Sequence, residues 1–139
     1  MRSQGMRCRA LLLITFLSAN CWAHTLRAKR SVKPDPAYSA ALQAADRFLH
    51  AWQTQDHEAG IMMLSDGARQ RISPEQLEEF FSPAANAAFE IQHGKLHKAG
   101  EYVFPVVLFG LAESSGHVRF GQIVIVKAGK NDWAVERLP

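Results

Sequence analysis

Histidine, serine, cysteine, tyrosine and carboxylate are the side chains through which a 139-residue chain could do chemistry. Their spacing limits what that chemistry is. His93 and His97 stand four residues apart, which on a helix would chelate zinc. Residues 89–93 (Phe-Glu-Ile-Gln-His), however, alternate as a half-buried strand does. Four extended residues span about 13 Å, too far for one ion unless Gly94 folds the backbone. His57-Glu58 is not followed by a second histidine at zinc-protease spacing, and zinc needs three or four converging ligands. Neither a metal site nor a cofactor is expected. Ser114-Ser115-Gly116 reads as a turn rather than a nucleophile elbow, and no glycine-rich phosphate loop occurs. Trp52 and Trp133 are large aromatics whose first use is core packing.

Both cysteines, Cys8 and Cys21, fall in an N-terminal segment built like a secretory signal. Arg2, Arg7 and Arg9 give a positive start. Ala10–Leu17 is apolar, and Ser18–Ala23 is a small-residue exit that sets cleavage before His24. The stretch 10–23 is shorter than the roughly 20 residues a spanning helix needs. Asn20 stands where a lipid-attachment cysteine needs a small residue, so Cys21 is not expected to carry lipid. The mature chain, exported to the periplasm or the extracellular space, then has no disulfide, thiolate site or cysteine nucleophile. Its 116 residues suffice for one domain.

The formal charge of +3 is misleading. Losing Arg2, Arg7 and Arg9 leaves the mature chain neutral, and Arg27, Lys29, Arg30 and Lys33 concentrate positive charge in a polar leader, residues 24–35, closed by Pro34 and Pro36. Residues 36–139 are therefore mildly acidic. A nucleic-acid binder needs a basic face on the folded domain, so that class is set aside. Arg27-Ala28-Lys29-Arg30 has the form of a convertase site, but a solvated charge run in a disordered leader accounts for it.

Residues 36–53 have helical period: Tyr38, Ala41, Ala45, Phe48, Leu49 and Trp52 form one stripe, with Ser39, Gln43, Asp46, His50 and Gln53 opposite. Asp56 reads as the N-cap of a second helix ending at Gly67. Ser73-Pro74-Glu75-Gln76 signals a third, through a capping box with proline in the first turn; Leu77, Phe80 and Phe81 form its buried face. Strands then follow: 89–93, 102–112 with Pro105 at a bulge or edge, 117–127 and 133–138. Helices followed by an antiparallel meander make an α+β plan, one domain over residues 36–139.

Phe48-Leu49-His50-Ala51-Trp52 with Asp56 four residues on, the Ser73-Pro74-Glu75-Gln76-Leu77 helix start and the terminal Trp133-Ala134-Val135 strand resemble the nuclear transport factor 2-like superfamily over residues 38–138. The resemblance implies a cone: a curved sheet around a long first helix, with a cavity at the open end. Its members include ketosteroid isomerases, dehydratases, cyclases, epoxide hydrolases, transport factors and non-catalytic secreted modules, so fold alone decides little. Cystatins share the cone-like architecture. Gln122-Ile123-Val124-Ile125-Val126 lacks the glycine of their inhibitory loop, which argues against protease inhibition.

Isomerase chemistry of the ketosteroid type needs a carboxylate base and an oxyanion site of tyrosine and a neutral acid in an apolar pocket. Tyr38 and Tyr102 are the two tyrosines. Glu90 and Glu136 alternate with core residues and are expected to point away from the helices; Glu101 opens a strand. The expected function is thus a non-catalytic binding or interaction module with an apolar cavity, no catalytic residue being assigned. Tyr38, Trp52 and Tyr102 are its ligand-binding candidates, for a small apolar ligand or a protein partner. The alternative is a small-molecule isomerase or dehydratase using the same cavity. The two long strands are apolar on both faces, whereas a sheet covered on one side alternates. That excess predicts a homodimer through the outer sheet face, with Ile123 and Ile125 near its centre.

Overall fold

Asp35 starts the first helix, and with it the part of the chain that the computed structural model describes, residues 35–110 and 118–139. The expected signal peptide, the leader up to residue 34 and the turn at Glu113–Gly116 lie outside the described residues. One Asp35 carboxylate oxygen accepts from the Ala37 N–H at 3.0 Å, which satisfies an orphan donor of the first turn. Helix α1 (Pro36–Gln53) follows and buries Ala41, Ala44, Ala45, Phe48, Leu49, Ala51 and Trp52. Small alanines between large aromatics let it lie close against the sheet.

Helix α2 (His57–Met62) is capped by Asp56 as expected, through the Ala59 N–H. The expected stop at Gly67 is wrong. The chain leaves helix after Met62, with Met63 as a C-cap of helical backbone, and Leu64 then bridges Val135 of the last strand in parallel: Val135 N–H donates to Met63 O and Ser65 N–H to Val135 O, both at 2.9 Å. Ser65 then caps a helix the periodicity does not reveal, α3 (Asp66–Arg71). Gly67 sits inside it because a side chain there would meet the Glu136 carboxylate at 3.1 Å and the Arg71 guanidinium at 3.2 Å. Helix α4 (Pro74–Phe80) has the full capping box, with Ser73 and Gln76 exchanging bonds. It buries Leu77 and Phe80, with Phe81 following.

Among the described residues five antiparallel strands complete the α+β fold: β1 (Ala88–Ile91), β2 (Lys95–Lys98), β3 (Glu101–Phe109), β4 (Val118–Lys127) and β5 (Trp133–Arg137). The order is β1-β3-β4-β5, and β2 also pairs with β3. So β1 and β2 share one edge of β3 and are interrupted at Gln92–Gly94. Pro105 lies opposite that interruption, its carbonyl accepting from the Gln92 N–H at 2.8 Å. A residue without an N–H is tolerated where the ladder is already broken. Gly94 is required there: a Cβ would stand 2.3 Å from the Phe104 ring.

The inner face of β3 is Tyr102, Phe104, Val106 and Leu108, all buried. Register pairs Tyr102 with Ile125 and Phe104 with Ile123, so the two isoleucines belong to the core, each with 0 % exposure. The expectation that Ile123 and Ile125 lie on the outer face is thereby corrected. Both faces of β4 are apolar, and alternation alone does not say which one the helices cover. The outer residues are Val118, Phe120, Val124 and Val126, opposite Phe109, Val107, Val103 and Glu101.

Candidate functional site

Two of the three expected ligand-binding residues come together and the third does not. Tyr38 from the first turn of α1 meets Tyr102 from β3 edge to face, ring centroids 5.7 Å apart. Phe104, His93 and Trp133 complete the group: Phe104 and His93 lie 5.5 and 5.4 Å from Tyr38, and Trp133 lies 5.5 Å from Tyr102. Trp52 is fourteen residues further along α1, about 21 Å at 1.5 Å per residue. It packs at 6.1 Å on Phe80 in a separate cluster where Phe48, Phe80 and Phe81 contact one another pairwise. Trp52 is wholly buried and is a core residue.

The polar atoms of the tyrosine group are committed locally. The Tyr102 hydroxyl donates to Asp35 at 2.9 Å, while the other Asp35 oxygen caps α1. Burial pushes the Tyr102 phenol above its ordinary value, and the hydrogen bond and charge of Asp35 add to the rise. Such a phenol is a poorer proton donor. Asp35 accepts on both oxygens, and so does not supply the neutral donating acid that the isomerase alternative needs. The Tyr38 hydroxyl accepts from the Gly94 N–H at 3.3 Å and lies 3.2 Å from His93 Nδ1. Sequence reasoning missed Asp35 and His93 because both meet the tyrosines only through folding, across more than fifty residues.

The carboxylates divide. Glu90 is exposed on the outer face, in register with Val107, as expected. Glu101 pairs with Lys98 at 3.0 Å and stands 3.9 Å from His97. Glu136 departs from expectation by turning to the helices: the Ser65 hydroxyl donates to one oxygen and Arg71 to the other, the latter at 2.5 Å. The reason is a bulge. Ile125 pairs with Val135 but Val124 with Arg137, so Glu136 is the extra residue and escapes the alternation. The Ser65 hydrogen bond, then Arg71, hold its carboxyl below the ordinary value. Its contribution to stability is fully present above the ordinary carboxylate pKa and is lost as pH falls through the lower folded value. Glu136→Gln is therefore expected to flatten the acid limb of stability against pH. Urea unfolding at neutral pH and near pH 3 checks it; equal acid sensitivity in both proteins would refute the assignment.

Among the described residues no group of three or more histidine, cysteine, aspartate or glutamate side chains converges on a metal position; His93 and His97 face different partners. Clefts open elsewhere. One of about 680 Å³ lies between the α2–α3 segment and the β4–β5 hairpin. One of about 430 Å³ lies among α2, α3 and α4, and two of about 480 and 490 Å³ involve the sheet. Neither Tyr38, Trp52 nor Tyr102 lines any of these four.

The class that fold and site define is an α+β domain with a filled aromatic interior. Compared with known proteins, the chain matches no protein-family model and no curated protein.

Proposed function

We propose that this chain is an exported, nuclear transport factor 2-like cone domain acting as a non-catalytic interaction module that pairs with a second copy through its outer sheet face. The observation that carries the reading is Phe120, a large aromatic 77 % exposed in the middle of an apolar surface. Val107 is its cross-strand neighbour; Phe109 and Val118 face each other two residues along, and both are exposed. Val103 is half-buried and continues the apolar row, while Val107 and Val124 are buried on the same face. An exposed patch of this kind usually marks an interface.

Charge supports self-pairing. Glu90 flanks Val107 on the β1 side, Lys95 flanks Val103 and Arg137 flanks Val124. A two-fold axis across the strands, midway between the levels of Val103 and Val107, would carry Glu90 of each copy toward Lys95 of the other. Opposite charges then meet beside an apolar centre, as in a self-complementary interface. The non-catalytic part of the reading rests on the Tyr102–Asp35 pair, whose acid is occupied in capping, and on an interior filled by Phe48, Trp52, Phe80, Phe81 and Phe104.

Light scattering on the exported protein at micromolar concentration tests the reading. The wild type is expected at twice the mass of the chain starting near His24, and Phe120→Asp at the monomer mass with unchanged circular dichroism. A monomeric wild type, or a dimer indifferent to Phe120→Asp, would refute pairing through this face.

A further inference from the structure

We propose that the cleft between the helical layer and the β4–β5 hairpin binds a small amphiphilic monoanion, an apolar or aromatic body carrying one carboxylate-type head. The inference is independent of pairing through Phe120. The cleft holds about 680 Å³, within the range of small-molecule sites. Its apolar wall is built and partly rigid. Trp133 is half-buried and braced by Tyr102 at 5.5 Å. Met62, across the cleft, is 71 % exposed, an adaptable thioether suited to closing over an apolar body.

The charges lining the cleft select the head group. Arg69 is already engaged, 3.6 Å from Asp66 and donating to the Met62 carbonyl at 3.2 Å, so that pair cancels. Arg47 from α1, Lys127 and Asp132 remain, and none of the three is in an ion pair with another described residue. The balance is one positive charge. Lys127 stands directly opposite Trp133 in the strand register, on the same face of the hairpin. A body lying on Trp133 therefore brings its head within reach of the Lys127 ammonium, with Arg47 on the helical side. A cation would meet the excess positive charge, and a neutral analogue would forgo the head contacts.

Calorimetric titration with 1-naphthaleneacetate and with 1-naphthaleneacetamide, which share the aromatic body and differ in charge, tests the proposal. The acid is expected to bind with Kd of order 10–100 µM and the amide roughly tenfold more weakly. Arg47 and Lys127 are exposed, so Arg47→Glu and Lys127→Glu should leave circular dichroism unchanged. Each is expected to weaken the acid about three- to tenfold while leaving the amide nearly unaffected. No saturable heat with the acid up to about 1 mM, equal affinity for the amide, or indifference to both charge reversals would overturn it.

Discussion

Trp52→Ala is expected to lower the free energy of unfolding by about 3–5 kcal/mol, the range for truncating a large buried aromatic. Trp52 has 0 % exposure and is one turn from Phe48 on the buried stripe of α1. Its removal leaves a cavity that Phe80, 6.1 Å away, can fill only by breaking its own stack on Phe48 at 5.9 Å. The indole N–H adds a second, separable effect. It is buried without a hydrogen-bond partner among the described residues, and an unsatisfied buried donor costs about 1–3 kcal/mol. Trp52→Phe loses volume but also removes that donor, so it is expected to cost well under half as much as the alanine change. Urea unfolding midpoints at constant slope measure both. A midpoint unchanged in Trp52→Ala would place the ring outside the core.

Gly60→Ala is expected to destabilise by about 1–3 kcal/mol, as overpacking does, although the same change in an exposed helix gains up to about 1 kcal/mol. The sign reverses because the new Cβ would lie 2.0 Å from Cζ of Phe81. That ring is fully buried and held edge-on by Phe48 and Phe80 at 5.5 and 5.3 Å. Phe81→Leu shortens the colliding side chain. The double variant is therefore expected to be more stable than the sum of the single changes, by a coupling of about 0.5–3 kcal/mol. Simple additivity in the cycle would mean that Gly60 and Phe81 do not share this contact.

These two predictions draw on different kinds of legibility. The stripe Phe48–Trp52 could be read in the sequence because helical period and burial are local, repeating properties, and the caps at Asp56 and Ser73 because their partners lie three residues away. Gly60 against Phe81 could not, since the glycine's meaning depends on which ring folds over it. Helix α3 was hidden because it shows only Ala68 to the core. The chemistry of the tyrosine group was half legible. Tyr38 and Tyr102 could be named as rare residues on apolar stripes, but Asp35 and His93 are joined to them by topology alone. Glu136 was misread because a single extra residue in β5 cancels the alternation on which the reading rested. Ile123 and Ile125 were assigned to the wrong side because a strand apolar on both faces carries no sign for inside.

The broken β1–β2 edge has a further consequence. A sheet offers its open margins to any passing extended chain, and long flat margins invite strand addition and fibre growth. One margin here is split into two four-residue pieces by Gln92–Gly94 and carries exposed Lys95 and Lys98. At the other, Met63 and Ser65 already occupy the backbone groups of Val135, and Glu136 bulges beside it. Among the described residues neither margin presents a continuous ladder for a newcomer. The domain can expose an aromatic, strand-rich surface to other molecules and still resist templated polymerisation, because association is left to side chains on a face rather than to backbone at an edge.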